Sequence, residues 1–323
     1  MTPSRIAAVI IGRNEGQRFL DCLAALPQRL DPVIYVDSGS SDGSVAAARA
    51  AGAEVVELDM DQPFTAARAR NAGLARLGDE VAFVQLLDGD CALREGWVDT
   101  ATAHLTANPD LAVVCGRRRE RAPGASLYNA LADAEWDTPV GPALACGGDA
   151  MMRLDALRAV GGYRDDLIAG EEPELCVRLR QAGWRIERLA AEMTWHDAAM
   201  TRFGQWWKRS RRAGHAFAEG AALHGAPPER HWVRETRRAL AWGAALPVGI
   251  MALALVAPWL AFVAALAYPA QLLRLAVKGA PDGIGRWRFA AFTLLGKFAE
   301  AQGALSYYRS RLRGTKTALM EYK

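Results

Sequence analysis

Asp88-Gly89-Asp90 ends the apolar run Val81-Ala82-Phe83-Val84-Gln85-Leu86-Leu87, so two carboxylates one residue apart stand at the end of what reads as a buried strand. Open α/β sheets bind ligands at the carboxyl ends of their strands, and paired carboxylates there make an oxygen-rich seat for a hard divalent cation, Mg2+ or Mn2+. Asp and Gly are also turn formers, so the triplet alone equally describes a solvated turn. A second acidic set, Gly170-Glu171-Glu172-Pro173-Glu174-Leu175, opens a helical pattern in which Leu175, Leu179 and Ala182 share one face. Carboxylates there complement the helix dipole. His196, in Thr194-Trp195-His196-Asp197, offers an imidazole, a group that serves metal binding, proton transfer or plain packing.

These residues need a scaffold that brings distant segments to one edge. From Ile6 to Cys115 short apolar runs alternate with helical patterns. Ala7 to Ile11, Val33 to Val36 and Val55 to Leu58 read as strands; helical spacing recurs over Phe19 to Leu26, Ser44 to Ala51 and Thr65 to Leu77, closed by Pro27, Gly52 and Gly78. Such alternation predicts an α/β fold with a mostly parallel central sheet, all of whose carboxyl-end loops share one edge. Leu111 to Cys115 adds a strand, Gly147-Gly148 a glycine loop, and Glu172 to Ala182 a helix closed by Gly183.

Four segments in order, Ile10-Ile11-Gly12-Arg13-Asn14-Glu15, Val36-Asp37-Ser38-Gly39-Ser40-Ser41-Asp42-Gly43, Arg68-Ala69-Arg70-Asn71-Ala72-Gly73 and Asp88-Gly89-Asp90, together resemble the family-2 glycosyltransferases of the type-A nucleotide-sugar-binding fold. The likeness covers about the first two-thirds of the chain. It implies that Gly12, Asn14 and Glu15, with Asp37, Ser38, Gly39 and Asp42, hold the nucleoside. Strand-end carboxylates can accept from a base N–H or ribose hydroxyl, although such a loop can also simply cap the next helix. Arg70 and Asn71 match the family's Arg-Asn-x-Gly signature beside the nucleotide; Arg70 pairs either a phosphate or a sheet-edge carboxylate. By the same resemblance Asp88 reaches the ribose or sugar and Asp90 holds the metal, with His196 as a further metal or diphosphate contact. A divalent cation suits a leaving nucleoside diphosphate, which gathers negative charge as the glycosidic bond breaks. Glu172 falls where inverting members carry their general base, with Glu in place of the usual Asp, and Glu171 is its alternative.

The apolar share of 51% and charged share of 23% describe a folded chain rather than a disordered one. Five cysteines without paired spacing frame neither a zinc site nor a disulfide scaffold and fit a reducing compartment. The stretch from Met1 to Ile11 lacks the apolar length and cleavage site of a secretory signal, so none is expected. A net charge of +3 gives no case for nucleic acid as a partner. The absence of Gly-x-Gly-x-x-Gly at the first helix disfavours a dinucleotide-binding dehydrogenase.

From Ala239 to Leu273 no residue is charged. One helix of that length would run about 50 Å, against a hydrocarbon core of about 30 Å. Ala257-Pro258 near its middle predicts a break, giving an apolar hairpin over about 239–273. A hairpin keeps the basic residues before it (Arg230, Arg234, Arg237, Arg238) and after it (Arg274, Lys278, Arg286, through Lys316) on one side, as the cytoplasmic face of a membrane requires. The alternative is a soluble helical bundle. An amphipathic helix over about 286–313 is expected at the membrane interface. The chain thus divides into a catalytic domain, 1–225, and a membrane-associated helical region, 226–323. Gln205-Trp206-Trp207-Lys208-Arg209 partly resembles the Gln-x-x-Arg-Trp motif of processive synthases but departs at its last two positions, so single additions are expected, with Trp206 and Trp207 as interfacial anchors.

The combined expectation is a metal-dependent inverting glycosyltransferase that moves a sugar from a nucleoside diphosphate, UDP first, to a lipid-linked saccharide at the cytoplasmic face of the inner membrane. The rivals are transfer to polyprenyl phosphate, and a catalytically silent sugar-nucleotide-binding scaffold.

Overall fold

A computed structural model describes residues 5–315; Lys316 of the basic flank lies outside the described residues. Packing divides the chain into two units, Met1–Ala122 with Glu135–Ala198, and Pro123–Ala134 with Ala199–Lys323.

Among the described residues the first unit is built on nine strands: β1 (Arg5–Gly12), β2 (Leu30–Asp37), β3 (Glu54–Glu57), β4 (Val81–Asp88), β5 (Cys91–Leu93), β6 (Leu111–Glu120), β7 (Gly141–Pro142), β8 (Ala150–Arg153) and β9 (Arg185–His196). They form one sheet in the order β3-β2-β1-β4-β8-β6-β9-β5, with β7 on β9. β1 to β4 pair in parallel, the crossovers being the helices Gln17–Ala24, Ser44–Ala50 and Ala66–Leu74. Helices on both faces bury β1 from Ile6 to Ile11, which is why it reads as an unbroken apolar run rather than an alternating one. Beyond β4 the sheet is mixed. A loop without a crossover helix returns the chain at the carboxyl edge, so β8 enters antiparallel between β4 and β6. β6 and β9 are parallel, and β5 and β7 run antiparallel to β9.

Helix ends fall within one or two residues of the expected stops, except that Ala66–Leu74 ends three residues before Leu77. Thr65 caps Ala66–Leu74, its hydroxyl accepting from the Arg68 amide, and Gly170 at φ 82° opens Glu171–Gln181. Gly73 lets the first of these helices close on the sheet, since a Cβ there would sit 2.4 Å from the Val9 side chain.

The second unit is helical. Phe203–His224 packs along Arg286–Leu312 with small residues at the seam: a Cβ on Gly214 would lie 2.0 Å from the Glu300 carbonyl, and one on Gly303 1.9 Å from that of Arg211. Phe203–His224 groups with the helices that follow it. Arg286–Leu312 buries Ala290, Gly296, Ala299, Ala301, Gly303 and Ala304. Trp206 is buried and rings itself with Tyr128, Phe203, Trp207 and Phe292, the last at 4.9 Å, so it is core and not an anchor. The Trp207 indole donates to Gln302 at 3.0 Å.

The apolar stretch forms the hairpin that the sequence predicts. A 24-residue helix, Val233–Val256, breaks at Ala257, and a 21-residue helix starts on Pro258 and runs to Lys278. Pro247 leaves the first helix continuous, and a π-turn, Ala241–Ala245, just before it accommodates the missing amide.

Gly214→Ala should force the two seam helices apart and lower the thermal midpoint of the C-terminal unit, at a cost of about 1–3 kcal/mol for overpacking. Gly249→Ala, where the added carbon meets nothing within 4 Å, is the control. Equal midpoints in calorimetry for the two variants would refute the seam as described.

Candidate active site

Strand register decides which loops meet. Gly12 pairs with Asp37 and Ile11 with Asp88, so the ends of β1, β2 and β4 lie side by side. Because β8 runs antiparallel to β4, with Ala150 opposite Leu86, its first residues start at that edge and bring Asp149 to the Asp88 amide at 3.3 Å. β5 begins at Cys91 and pairs with the end of β9, Cys91 opposite His196, which sets His196 beside Asp90. Gly89 makes the turn between them: its amide donates to the Ile11 carbonyl at 2.8 Å, and a Cβ would crowd that oxygen at 3.2 Å.

Arg70 lies at the centre. Its buried guanidinium reaches Asp88 at 2.8 Å, Glu171 at 3.1 Å and Glu172 at 2.7 Å, and sits over the Tyr163 ring at 5.6 Å. These partners are a sheet-edge carboxylate and two helix carboxylates. Gly148 lies flat on this pair; a Cβ there would stand 2.6 Å from the Arg70 guanidinium and 2.8 Å from Asp88. Asn71, next along the helix, faces away from this cluster. Its side-chain amide binds the Tyr163 carbonyl and amide at 2.8 and 2.9 Å and Asp165 at 2.6 Å, bracing the loop before Glu171.

Glu171 and Glu172 occupy the first turn of Glu171–Gln181 and both are buried. Burial first, and then the neighbouring charge of Glu171, push Glu172 up to about 7, with Arg70 pulling the other way. Glu174 is engaged elsewhere, pairing with Arg178 at 2.7 Å one turn on.

The loops at β1 and β2 hold each other. Asp37 is buried and accepts from the Gly39 and Ser40 amides at 3.0 and 2.8 Å and from the Tyr35 hydroxyl at 3.0 Å. Asp42 accepts from Ser44 at 2.9 Å and Gly16 at 3.0 Å; the Ser44 interaction is the first of several that lower its pKa. Asn14, at φ 54°, receives the Ser41 amide at 2.7 Å and donates its own amide to Ser40. Glu15 pairs with Arg18 at 2.7 Å. Gly12 accepts at its carbonyl from the Ser38 amide at 3.1 Å, and Ser38 itself is buried. The sequence-predicted nucleoside residues therefore form one cross-braced loop pair beside Asp88.

Asp90, Cys91 and His196 are all buried, each with a donor atom within 4.8 Å of the others; Asp90 and His196 approach to 3.4 Å. Asp88, Cys91 and Asp149 form a second such group. Motif reading misses Arg118, which lies over Trp136 at 5.5 Å, pairs with Asp149 at 2.9 Å and reaches Asp88 at 3.7 Å. Thr194 adds its hydroxyl to Asp149 at 2.8 Å. Strand alternation carries a signal for Arg118, since in the run Arg117-Arg118-Arg119 it alone points to this face, Arg117 pairing with Asp137 and Arg119 with Glu192. Burial raises the Asp149 pKa, while Arg118 and Thr194 oppose it.

Residues 8–139 match the family described as glycosyl transferase family 2. The pre-mycofactocin glycosyltransferase of Mycobacterium tuberculosis is 29% identical over 208 residues, covering 59% of this chain and 43% of that protein, so the chain spans less than half the length of the curated relatives it matches. Among solved structures, mannosyltransferase PcManGT of Pyrobaculum calidifontis, in complex with GDP-Man and Mn2+, superposes with a TM-score of 0.64 at 21% identity over 93% of this chain and 87% of that one. S. aureus TarS 1–349 gives 0.52 at 14% identity over 96% and 92%. These two likenesses are of fold, the type-A fold.

Arg70→Met should leave Asp88, Glu171 and Glu172 without their shared cation and destabilise the protein by about 3–5 kcal/mol, the range for breaking a buried pair. The loss should be larger at pH 8 than at pH 5, where protonation relieves the repulsion, as read by thermal unfolding. A pH-independent effect would mean that Arg70 acts by packing alone.

Proposed function

With residues 8–139 forming a family 2 glycosyl transferase domain, we propose that the protein is an inverting glycosyltransferase that moves a sugar from a nucleoside diphosphate sugar to a lipid-linked saccharide at the cytoplasmic membrane face, in polysaccharide or glycolipid assembly. UDP-sugars are our first donor candidates, and GDP-sugars, the class bound by the Pyrobaculum protein, the second. The observation that carries the reading is Glu172, a buried carboxylate pushed up to about 7 and held by Arg70 to the strand end that bears Asp88. A general base works best with a pKa near the working pH.

In this mechanism Glu172 takes the proton of the acceptor hydroxyl as that oxygen bonds to C1 of the sugar. The bond from C1 to the diphosphate breaks on the opposite face, its electron pair leaving with the diphosphate, so the anomeric configuration inverts. The loops around Asp37 and Asp42 seat the nucleoside, and Arg70 fixes Glu172 against Asp88. Asp88, Asp90, Asp149, Glu171 and Glu172 outnumber the guanidiniums of Arg70 and Arg118 that pair with them, and oxygen donors with an imidazole fit a divalent cation of the Mg2+ or Mn2+ class. Asp90 and His196, with Asp88, would hold it. When bound, it supplies positive charge for the departing diphosphate.

A poised base favours a hydroxyl acceptor over polyprenyl phosphate, which is already anionic at neutral pH and needs no proton removed. The acidic and basic groups of the site, arranged for chemistry, likewise favour an enzyme over a silent scaffold.

Glu172→Gln should lower transfer by about 10² to 10⁴ with donor affinity nearly unchanged, and Glu171→Gln should cost less. Wild-type transfer should rise with pH through about 7, because only the ionised carboxylate accepts a proton. Between 4.5 and about 7 folded Glu172 keeps a proton that the unfolded chain releases, so this group costs stability as pH climbs through that window. The same Glu172→Gln variant should therefore unfold at a higher temperature than wild type above pH 7. Near-normal transfer in the variant would shift the base to Glu171 or Asp149.

Asp90→Ala and excess chelator should each abolish transfer while circular dichroism stays native. Full activity in chelator would contradict the cation assignment.

A further inference from the structure

The hairpin beyond residue 239 is apolar to its tip. Leu255 and Val256 are 87% and 80% exposed, and Trp259 and Phe262, on the other arm, 68% each. The turn is a single residue: the Ala257 amide donates to the Leu253 carbonyl at 2.7 Å, its carbonyl accepts from Leu260 and Ala261 at 2.9 and 3.2 Å, and Pro258 has no amide to leave unpaired. From Leu246 to Leu266 there is no charged residue, and no Ser, Thr, Asn, Gln, His or Tyr. Beyond backbone, the tip thus offers water only the Trp259 indole N–H to solvate.

The base of the hairpin is the reverse. Arg234, Arg237 and Arg238 precede one arm, and Arg274, Lys278 and Arg286 follow the other. Just inside them Tyr268 donates to the Trp242 carbonyl at 2.8 Å with the rings 5.9 Å apart, an aromatic pair of the kind that sits at the headgroup level. Measured from the last charge, Ala239 to Val256 rises about 27 Å and Pro258 to Leu273 about 24 Å, at 1.5 Å per residue. Both fall short of a hydrocarbon core of about 30 Å, and any tilt shortens them further.

We propose that this hairpin is re-entrant: it enters a lipid bilayer from the side of its basic collar, and its tip at Ala257 stays within the hydrocarbon instead of emerging on the far side. Anionic headgroups meet the collar, the Trp242–Tyr268 pair marks the near interface, and both arms return to the same leaflet. The inference rests on the membrane attachment in the proposed function and goes beyond it by fixing depth and topology.

The test uses full-length protein in sealed vesicles of both orientations and a membrane-impermeant maleimide, the five native cysteines being buried. Ala257→Cys should stay unlabelled from either side and react only after detergent is added. Asp282→Cys, between the second arm and Arg286, should label from one side alone. Labelling of Ala257→Cys from the side opposite Asp282→Cys would overturn the proposal in favour of two complete spans, with Trp259 at the far interface. Labelling from the same side, with protein released by a high-salt wash, would overturn the membrane attachment itself.

Discussion

A single guanidinium holds the candidate site together. Arg70, buried on the helix Ala66–Leu74, bonds at once to the end of β4 through Asp88 and to the first turn of Glu171–Gln181 through Glu171 and Glu172. Desolvating a cation costs several kcal/mol, and the anionic partners around Arg70 offset that cost. Glu171 and Glu172 are under the same constraint, since without Arg70 each would be a buried charge lacking its cation. Residues 70, 88 and 171–172 therefore fix one another's positions, and the glycines around them are consequences: Gly73 lets the helix close on β1, and Gly148 leaves room for the ion cluster.

From this constraint follows the character of Glu172. Burial and Glu171 act against its ionised form more strongly than Arg70 supports it, so the group stands near neutrality in pH rather than fully charged or fully silenced. Glu174, only two residues on, pairs with Arg178 and serves the helix. Two acids on one helix turn are thus given different roles by their surroundings. Asp149 repeats the pattern across the edge, buried and answered by Arg118 and Thr194. The loops after β1 and β2 differ again: Asp37 and Asp42 satisfy their oxygens on backbone amides, which preforms a loop that has no apolar core of its own.

The second unit contains helices that meet two opposite conditions. Phe203–His224 and Arg286–Leu312 approach through glycines and alanines until backbone touches backbone, with the aromatic cluster around Trp206 beside that seam. The hairpin arms instead present large apolar side chains outward over most of their length. Exposure of this kind has no compensating partner in water, whereas hydrocarbon requires only that backbone groups be satisfied within each helix, as they are along both arms.

The sequence by itself determined what is local or periodic. Alternating apolar runs marked β1 to β4 and their helices, glycine and proline marked the ends, and the Ala257-Pro258 break marked the hairpin, because each depends on residues within a turn or two of one another. Asp88, Asp90 and His196 lie at or just past the ends of their strands, and Glu171 and Glu172 reach Asp88 through Arg70. Partnership was not legible. That Arg70 also reaches Glu171 and Glu172, that Asn71 braces the loop after Gly162, that Arg118 lies beside Asp149 and Asp88 and that Trp206 is core all depend on contacts between residues far apart in the chain. The mixed half of the sheet lay beyond sequence for the same reason: no crossover pattern announces a strand that returns along the edge it will pair with, and only tertiary packing decided that β8 would carry Asp149 back to Asp88.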